Sequence, residues 1–256
     1  YQEQNSSFCA IKDISVSINE GEFVSIIGPS GCGKSTLLSL LTGLNFPTDG
    51  YILLDGKQIQ GTGTERGVVF QHYSLFPWMS ARKNLIFGLK QVYKSKGKKE
   101  IEEIADKYLD LVGLGDFKNK YPSQLSGGMQ QRVAIARAFA MNPGILLMDE
   151  PFGAIDAKNR VILQELLLNL WDNGNERKTV ILVTHDIDEA ILLSDKIIVM
   201  SAGPGTIKKQ INVEFKRPRD RTSLIRSEEY TNLRNKLVGL FYDDLIEKIG
   251  GDEVVL

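Results

Sequence analysis

Cysteine is scarce in this 256-residue chain, which contains only Cys9 and Cys32. Their spacing matches neither a zinc-binding framework nor the even-numbered cysteine lattice of a small secreted protein. The sequence therefore excludes a zinc module and a disulfide scaffold, and it favours a reducing compartment.

The chain also lacks an excess of either charge. Its 31 Lys and Arg residues balance 32 Asp and Glu residues, so the net charge is −1 at pH 7 and the pI is about 6.2. No general positive field is present that would hold a polyanion by releasing its counterions. We therefore expect no nucleic acid partner.

Long apolar runs are absent as well. The longest ones, such as Ile145–Met148, are far shorter than the roughly 20 residues that a membrane-spanning helix requires. No basic stretch followed by an apolar one opens the chain, so we expect neither a spanning segment nor an export signal. Because the chain starts at Tyr1 and not at Met, we also expect that N-terminal residues are missing from it.

Short apolar runs recur instead, and stretches with helical periodicity follow them. A chain with 42% hydrophobic and 25% charged residues at this length can bury a large core. Because the runs are continuously apolar, we predict strands covered on both faces, as in a parallel sheet flanked by helices. The predicted strands are Phe23–Ile27, Val68–Phe70, Ile145–Met148, Val180–Val183 and Ile197–Met200.

Helical periodicity dominates two further regions. Ile101, Ala105 and Tyr108 recur at helical spacing between the second and third predicted strands, which predicts an inserted helical subdomain at residues 73–142. A final helix is predicted near the C-terminus. Its apolar stripe is interpreted as core packing, with a partner-binding surface as the alternative, and consists of Leu233, Leu237, Leu240, Phe241, Leu245 and Ile249.

Residues 28–35 fill the phosphate-binding pattern G-x-x-x-x-G-K-[ST], directly after a predicted strand and before the predicted apolar helix Leu37–Leu44. The glycines let successive backbone N–H groups point inward, and the helix that follows offers unpaired amides and a positive dipole end. Lys34 supplies charge to the β- and γ-phosphates, and the Ser35 hydroxyl suits Mg²⁺. The candidate nucleotide-binding residues are Gly28, Pro29, Ser30, Gly31, Cys32, Gly33, Lys34, Ser35 and Thr36.

Two carboxylates, Asp149 and Glu150, end another buried strand, where they would be costly without a cation or a proton to balance them. Asp149 is predicted to face the metal shell. Glu150 is predicted to point towards a water that attacks the γ-phosphorus. Together with the phosphate loop, these residues indicate a P-loop NTPase, which leaves kinases, GTPases and motor ATPases open.

Leu125–Arg132 narrows this choice, because it resembles the LSGGQ signature of ABC-type ATPases through Ser126, Gly127 and Gly128. Met129 departs from the signature glutamine, a substitution similar to that of importer-type subunits. Further elements of that family follow in order. Gln71 resembles the Q-loop glutamine, and His185 resembles the switch histidine. Gly153–Asp156 resembles the D-loop, with Ile155 in place of the usual leucine. His72, in contrast, is interpreted as an ordinary loop residue.

The resemblance implies a P-loop NTPase (RecA-like) α/β core with a mainly parallel sheet, an antiparallel β edge and an inserted α-helical subdomain. The implied single domain, 1–256, divides into a nucleotide-binding core at 1–72 and 143–215, the helical subdomain at 73–142 and a C-terminal helical extension at 216–256. It further implies an ATPase that requires ATP and Mg²⁺. Tyr1 occupies the place of the adenine-stacking aromatic residue, with Phe8 as the alternative.

Site roles also follow from the resemblance. Glu150, His185, Gln71 and Lys34 are the expected catalytic residues, and Ser35, Gln71 and Asp149 the expected metal-site residues. Ser126, Gly127 and Gly128 are expected to face the ATP of a second copy of the chain, so that two copies enclose the nucleotide. Asp156 is expected to organise the opposing site across that dimer.

The partners implied by the resemblance are membrane proteins. Gln71–Trp78 resembles the region of importer subunits that grips a permease, and exposed Phe76 and Trp78 suit such a socket, although packing beneath the helical subdomain is the alternative. Met200–Ile207 and Arg217–Arg221 are similar to the nitrate/sulfonate/taurine branch of importers. This implies two permease subunits, indirectly an extracytoplasmic solute-binding protein, and a peripheral location on the cytoplasmic face of the membrane.

Two other functional classes stay open beside a transport ATPase at this point. A soluble ABC ATPase of repair or translation usually carries a long coiled-coil insertion or two ATPase modules, which are absent from the sequence. A regulatory scaffold without turnover is disfavoured by the presence of both Glu150 and His185. A small-molecule P-loop kinase is disfavoured by the signature segment.

Overall fold

The computed structural model describes residues 2–3, 6–153, 155–172, 177–201 and 203–251. In chain order its first elements are β1 Gln2–Glu3, β2 Ser6–Ser7, β3 Phe23–Ile27, α1 Lys34–Leu41, β4 Leu53–Leu54, β5 Lys57–Gln58, β6 Arg66–Val69, α2 Ala81–Val92, α3 Lys98–Leu111 and α4 Gly127–Ala140. The remaining elements are β7 Ile145–Asp149, α5 Ala157–Asp172, β8 Thr179–Val183, α6 Ile187–Leu193, β9 Lys196–Ser201, β10 Thr206–Asn212, α7 Arg221–Ile225 and α8 Glu228–Gly251.

The chain forms two compact units. The first unit comprises the described residues of 1–40 and 181–256, and the second comprises those of 41–180. Strand β8 contributes residues to both. The predicted division into a core, a helical subdomain and a C-terminal extension has other bounds and stays a prediction.

The sheet of the first unit is built on β9. Strand β3 pairs with β9 in parallel, from Val24 opposite Lys196 to Ile27 opposite Val199. Strand β10 pairs with β9 in the antiparallel sense and lies at the end of the strand order. All five residues of β3 are buried, because its two faces are both covered, as its continuous apolarity predicts.

Helices α6 and α8 cover this part of the sheet. Ile191 and Tyr230 are buried in the same apolar cluster as Leu237, and Leu233 and Leu240 pack against it. The core-packing interpretation of the C-terminal stripe is therefore confirmed for Leu233, Leu237 and Leu240. The side chains of Leu245 and Ile249 lie outside the described part of the structure.

The second unit contains the parallel pair β6 and β7, in register from Arg66 opposite Ile145 to Val69 opposite Met148. With β3 and β9 also parallel and β10 antiparallel, the prediction of a mainly parallel sheet with an antiparallel edge is confirmed. Helices α2, α3 and α4 enclose a separate apolar cluster that includes Leu85, Leu109 and Ala136. Among the described residues, no helix is both long and apolar enough to cross a bilayer.

Two predicted boundaries were wrong, for local reasons. The helix expected at Leu37–Leu44 begins at Lys34 and ends at Leu41, since Gly43 adopts φ +75°, which ends a helix. The strand expected at Val68–Phe70 begins at Arg66 and ends at Val69. Phe70 is 39% exposed and has left the sheet.

Candidate functional site

The phosphate loop needs glycine at two positions for different reasons. A Cβ atom at Gly28 would lie 2.7 Å from both Cys32 Sγ and the carbonyl oxygen of Met200 in β9, so only a hydrogen fits there. Gly33 adopts φ +91°, a conformation that residues with a Cβ atom rarely take, and a Cβ atom there would overlap the side chain of Ile11. At these two positions the backbone of the loop therefore packs directly against β9 and against Ile11.

Lys34 is the cation of this loop. Its side chain lies in a buried position, 7% exposed, and Nζ donates to the carbonyl oxygens of Gly28 at 2.8 Å and Pro29 at 3.0 Å. Leu37 N donates to Gly33 O at 2.8 Å, which places the N-terminus of α1 at the loop. A buried ammonium group beside a helix N-terminus in a glycine cradle fits a polyphosphate anion.

Cys32 lies inside the same loop and is fully buried. Burial raises the pKa of its thiol, and the nearby Lys34 ammonium offsets part of this rise. Cys9, in contrast, is exposed. The two thiols therefore differ in solvent accessibility. The reactivity of the Cys32 thiol can thus report whether a ligand is bound in the loop.

His185 lies in the same unit as the loop and is exposed directly after β8. Thr184 N donates to Ile26 O at 3.2 Å, which places the end of β8 beside the end of β3, where the loop begins. The neighbours of His185 are fixed by hydrogen bonds, because Thr184 Oγ1 donates to Glu189 Oε2 at 2.6 Å and Asp186 N donates to Thr184 Oγ1 at 3.1 Å.

The other described site residues belong to the second unit, and two of them meet at Gly153. A Cβ atom added at Gly153 would lie 3.6 Å from Glu150 Oε2 and 3.9 Å from Gln71 Nε2. Glu150 adopts φ +44°, a costly conformation for a residue with a side chain, which turns the chain sharply after Asp149. The structure thus places the side chains of the predicted Q-loop glutamine, Gln71, and the predicted catalytic carboxylate, Glu150, beside the same residue, Gly153.

The signature segment begins helix α4. Ser126 is the N-cap, and its hydroxyl accepts a hydrogen bond from Met129 N at 3.3 Å. A Cβ atom at Gly127 would lie 2.8 Å from Tyr73 Oη, and one at Gly128 would lie 3.7 Å from Asn159. The signature glycines therefore leave room for Tyr73 on one side and for the start of α5 on the other.

Asp156 directly precedes α5, and its side chain is held by Asn159. Its carboxylate accepts hydrogen bonds from Asn159 N at 3.1 Å and from Asn159 Nδ2 at 2.7 Å. These bonds, the side-chain one first, lower the pKa of Asp156. Asp156 is exposed and ionised, so the D-loop presents a fixed negative charge at the surface.

Sequence reasoning missed Tyr73 and Asn159, which contact the signature glycines in the structure. Asp156 is itself a residue that favours the N-cap position of a helix, but no pattern in the sequence marks Asn159. No local pattern marks Tyr73. Of the two candidates for adenine stacking, Tyr1 lies outside the described residues, and Phe8 is 60% exposed.

An aromatic surface follows the Q-loop and consists of Phe76, Trp78 and Phe87. The Phe76 ring centroid lies 5.5 Å from that of Trp78 and 4.7 Å from that of Phe87. Trp78 is 69% exposed and Phe87 is 41% exposed, whereas Phe76, which was also expected to be exposed, is half-buried. The turn below them is tied to α2 by Asn84, which is fully buried.

A divalent ion fits the donor set of the predicted metal-site residues. Among the described residues no three His, Cys, Asp or Glu side chains form a metal-binding group. Magnesium commonly takes one or two carboxylates and completes its shell with phosphate oxygens and water. Asp149 at the end of β7 supplies a carboxylate of this kind, and Ser35 in the phosphate loop has an exposed hydroxyl.

A glycine cradle around a buried lysine, followed by a helix, defines a P-loop nucleotide-binding protein. The sequence profile of the ABC transporter family matches residues 11–153, which is more than half of the chain. The chain belongs to the ABC transporter family. The resemblance predicted from the motifs is thereby confirmed.

Individual relatives extend the match beyond the profile. The nitrate import ATP-binding protein NrtD of Synechococcus elongatus is 47% identical over 92% of this chain and 85% of its own length. The bicarbonate transport ATP-binding protein CmpC of the same species is 47% identical over 91% of this chain and 35% of its own length. The solved structure of the ATP-binding cassette MJ0796, dimeric and bound to ADP and Pi, aligns with a TM-score of 0.74 at 36% identity, covering 84% of this chain and 96% of that one.

Proposed function

We propose that this chain is the ATP-hydrolysing subunit of an import system for small anions. The observation that carries the catalytic part is the apposition of Glu150 and Gln71 at Gly153, beside a strand end that carries Asp149. The phosphate cradle around Lys34 supports the choice of a nucleoside triphosphate. Relatives that import nitrate and transport bicarbonate support the choice of small anions as the solute class.

The phosphate-binding residues act by charge and by backbone donors. The amides of the loop, residues 28–36, enclose the polyphosphate, and Lys34 exchanges its carbonyl partners for phosphate oxygens. Ser35, Gln71 and Asp149 are the residues that would hold Mg²⁺, and the ion would supply positive charge against the phosphate oxygens. Tyr1 stacks on the adenine.

Glu150 and His185 act at the γ-phosphate. Glu150 accepts a hydrogen bond from the attacking water and orients it in line with the bond that breaks. His185 binds a γ-phosphate oxygen. Gln71 would contact both the attacking water and the metal shell, and its position beside Glu150 would couple water activation to the segment that follows it.

The site is complete only in a dimer of two copies of the chain. Ser126, Gly127 and Gly128 present a hydroxyl and the N-terminus of α4 to the γ-phosphate bound by the other copy. Loss of that phosphate removes much of the attraction, so hydrolysis opens the dimer. Asp156, whose charge is fixed by Asn159, lies at this dimer surface and organises the opposing site.

The aromatic surface of Phe76, Trp78 and Phe87 is the docking site for the membrane partners. Two permease subunits bind there, one on each copy, and place the protein peripherally on the cytoplasmic face of the membrane. An extracytoplasmic solute-binding protein delivers the solute to the permeases. The exposed rings of Trp78 and Phe87, together with a turn that the buried Asn84 holds by hydrogen bonds, provide the rigid anchor that such an interface requires.

Glu150→Gln tests the catalytic assignment. The variant keeps the shape of the side chain but loses the carboxylate charge that polarises the attacking water, so we expect a loss of turnover of about 10²-fold or more. ATP binding should persist, and the ATP-bound dimer should accumulate in size-exclusion chromatography with light scattering. Glu103→Gln, at an exposed position of α3, is the matched control. Near-wild-type hydrolysis by Glu150→Gln would refute the role of Glu150.

Co-purification separates transport from the alternatives. The chain, isolated from membranes in mild detergent, should carry two hydrophobic permease subunits that mass spectrometry identifies. Trp78→Ala should reduce their recovery, whereas Phe117→Ala, which truncates an aromatic ring that is 40% exposed elsewhere, should not. Recovery of ribosomal or repair proteins in place of permeases would overturn the transport proposal.

A further inference from the structure

The segment that follows β10 holds the C-terminal end of α6. Arg219 Nη1 donates to the carbonyl oxygens of Ile191 at 3.1 Å, Leu192 at 3.1 Å and Ser194 at 2.8 Å. Arg217 Nη2 donates to Leu193 O at 2.5 Å. These carbonyl groups are those that a helix leaves without partners at its end, and a cation there also complements the helix dipole.

Burial of the Arg219 side chain restricts its movement and so stabilises these hydrogen bonds. The side chain is 2% exposed, and burial, with the nearby Arg217 charge, lowers its pKa to about 10. It therefore stays charged at neutral pH. Arg217 Nε also donates to Asp195 Oδ1 at 2.8 Å, which ties the segment to the residue that precedes β9.

Helix α8 holds the other end of α6 through Asp188. Tyr230 Oη donates to Asp188 Oδ1 at 2.7 Å, and Arg234 Nε donates to the same oxygen at 2.8 Å. Tyr230 is 3% exposed, and its pKa is raised, first by burial and then by Asp188, so its hydroxyl remains a donor. Both ends of α6 are thus held by residues of the C-terminal region.

The first turn of α6 transmits this restraint to His185. The amides of Asp188 and Glu189 donate to Asp186 Oδ1 at 2.9 Å and 3.1 Å. Glu189 in turn accepts the hydroxyl of Thr184. The residues on both sides of His185 are therefore bonded to the turn that Tyr230 and Arg234 hold.

We propose that Tyr230 and Arg234 of the C-terminal helix act through Asp188 as positioning residues for His185. The inference rests on the proposed function, in which His185 binds the γ-phosphate. An imidazole that must meet a phosphate oxygen tolerates little displacement, because misplacement of about 1 Å can cost about 10²-fold in rate. The C-terminal helix thereby takes part in catalysis without touching the nucleotide.

Tyr230→Phe tests the inference, since it removes one oxygen and keeps the packing of the ring. Tyr93→Phe is the matched control, because Tyr93 Oη donates to Ala140 O at 3.3 Å in the other unit. We expect Tyr230→Phe to lower kcat about ten-fold while the ATP affinity stays within about two-fold, as for a lost positioning contact. In the His185→Ala background the same change should cause no further loss.

A spectroscopic measurement makes the test independent of turnover. The chain contains only two histidines, His72 and His185, so selectively labelled imidazole signals are assigned by a single His72→Gln variant. Tyr230→Phe should shift or broaden the His185 signals and leave those of His72 unchanged. Tyr93→Phe should change neither.

Two outcomes would overturn the inference. The first is an unchanged His185 spectrum together with a kcat of Tyr230→Phe within about two-fold of wild type. The second is an equal loss in the presence and absence of His185, which would indicate a general structural effect. Wild-type turnover by His185→Ala would overturn the proposed function instead, and the imidazole signals would then decide the positioning inference alone.

Discussion

Replacing Asn84 with alanine should destabilise the turn that carries the proposed docking surface. Asn84 is fully buried in α2, and its Oδ1 accepts a hydrogen bond from Phe76 N at 2.8 Å. Its Nδ2 donates to the carbonyl oxygens of Phe76 at 3.2 Å, Met79 at 3.1 Å and Ser80 at 3.1 Å. One side chain therefore satisfies four polar groups of residues 76–80.

The cost differs among these four groups. The Phe76 and Ser80 carbonyls keep backbone donors, Met79 N at 3.1 Å and Asn84 N at 2.9 Å, whereas Phe76 N loses the acceptor that the side chain provides. A buried donor left unpaired costs about 1–3 kcal/mol, and each lost net hydrogen bond about 1 kcal/mol. Alanine recovers about 0.5 kcal/mol through helix propensity. Met79 O also loses its side-chain donor, at about 1 kcal/mol, so we expect a total loss of about 1.5–3.5 kcal/mol.

Urea denaturation of the wild type, Asn84→Ala and Asn84→Asp measures this loss. Asn84→Asp keeps an acceptor for Phe76 N but directs a carboxylate at three carbonyl oxygens, so it should be at least as destabilising as alanine. Lys83→Ala, at an exposed position of the same helix, should change stability by less than about 0.5 kcal/mol. A loss of less than about 0.5 kcal/mol for Asn84→Ala would refute the argument that the Asn84 side chain holds this turn in place.

The remaining predictions concern the phosphate loop. In a Cys9→Ser background, alkylation of Cys32 should be slow because burial raises the pKa of the thiol, and Mg-ATP should slow it further; equal labelling with and without ATP would contradict the nucleotide site. Gly28→Ala should cost about 1–3 kcal/mol by overpacking against Met200 O. Gly239→Ala, where a Cβ atom meets nothing, should instead stabilise α8, and equal effects of the two variants would contradict the steric argument.

Contiguous motifs were predictable because their chemistry and backbone conformation are local. The pattern of residues 28–35 requires glycines at turns and a lysine at the start of a helix, and the structure has left-handed φ values at Gly31 and Gly33 and a helix beginning at Lys34. Buried strands were predictable for the same reason, since continuous apolarity needs no knowledge of the neighbouring strand. Boundaries were less certain because single residues such as Gly43 end an element.

The contacts between distant segments were not predictable from any of these patterns. The family resemblance assigned Gln71 and Glu150 to one reaction, but only the structure shows both side chains beside Gly153. Tyr73 lacks any local signature and is placed against Gly127 by the path of the chain after the Q-loop. Such contacts depend on how the elements of a unit pack, which a local pattern does not encode.

The sequence by itself determined the class of the protein, its nucleotide chemistry and the alternation of strands and helices, because each depends on residues close together in the chain. The tertiary structure alone decided that the apolar stripe of α8 covers α6, and that Tyr230 and Arg234 share one oxygen of Asp188. The physical reason is that a stripe of leucines specifies burial but not the partner. The partner is decided by which surfaces the complete fold leaves for it to cover.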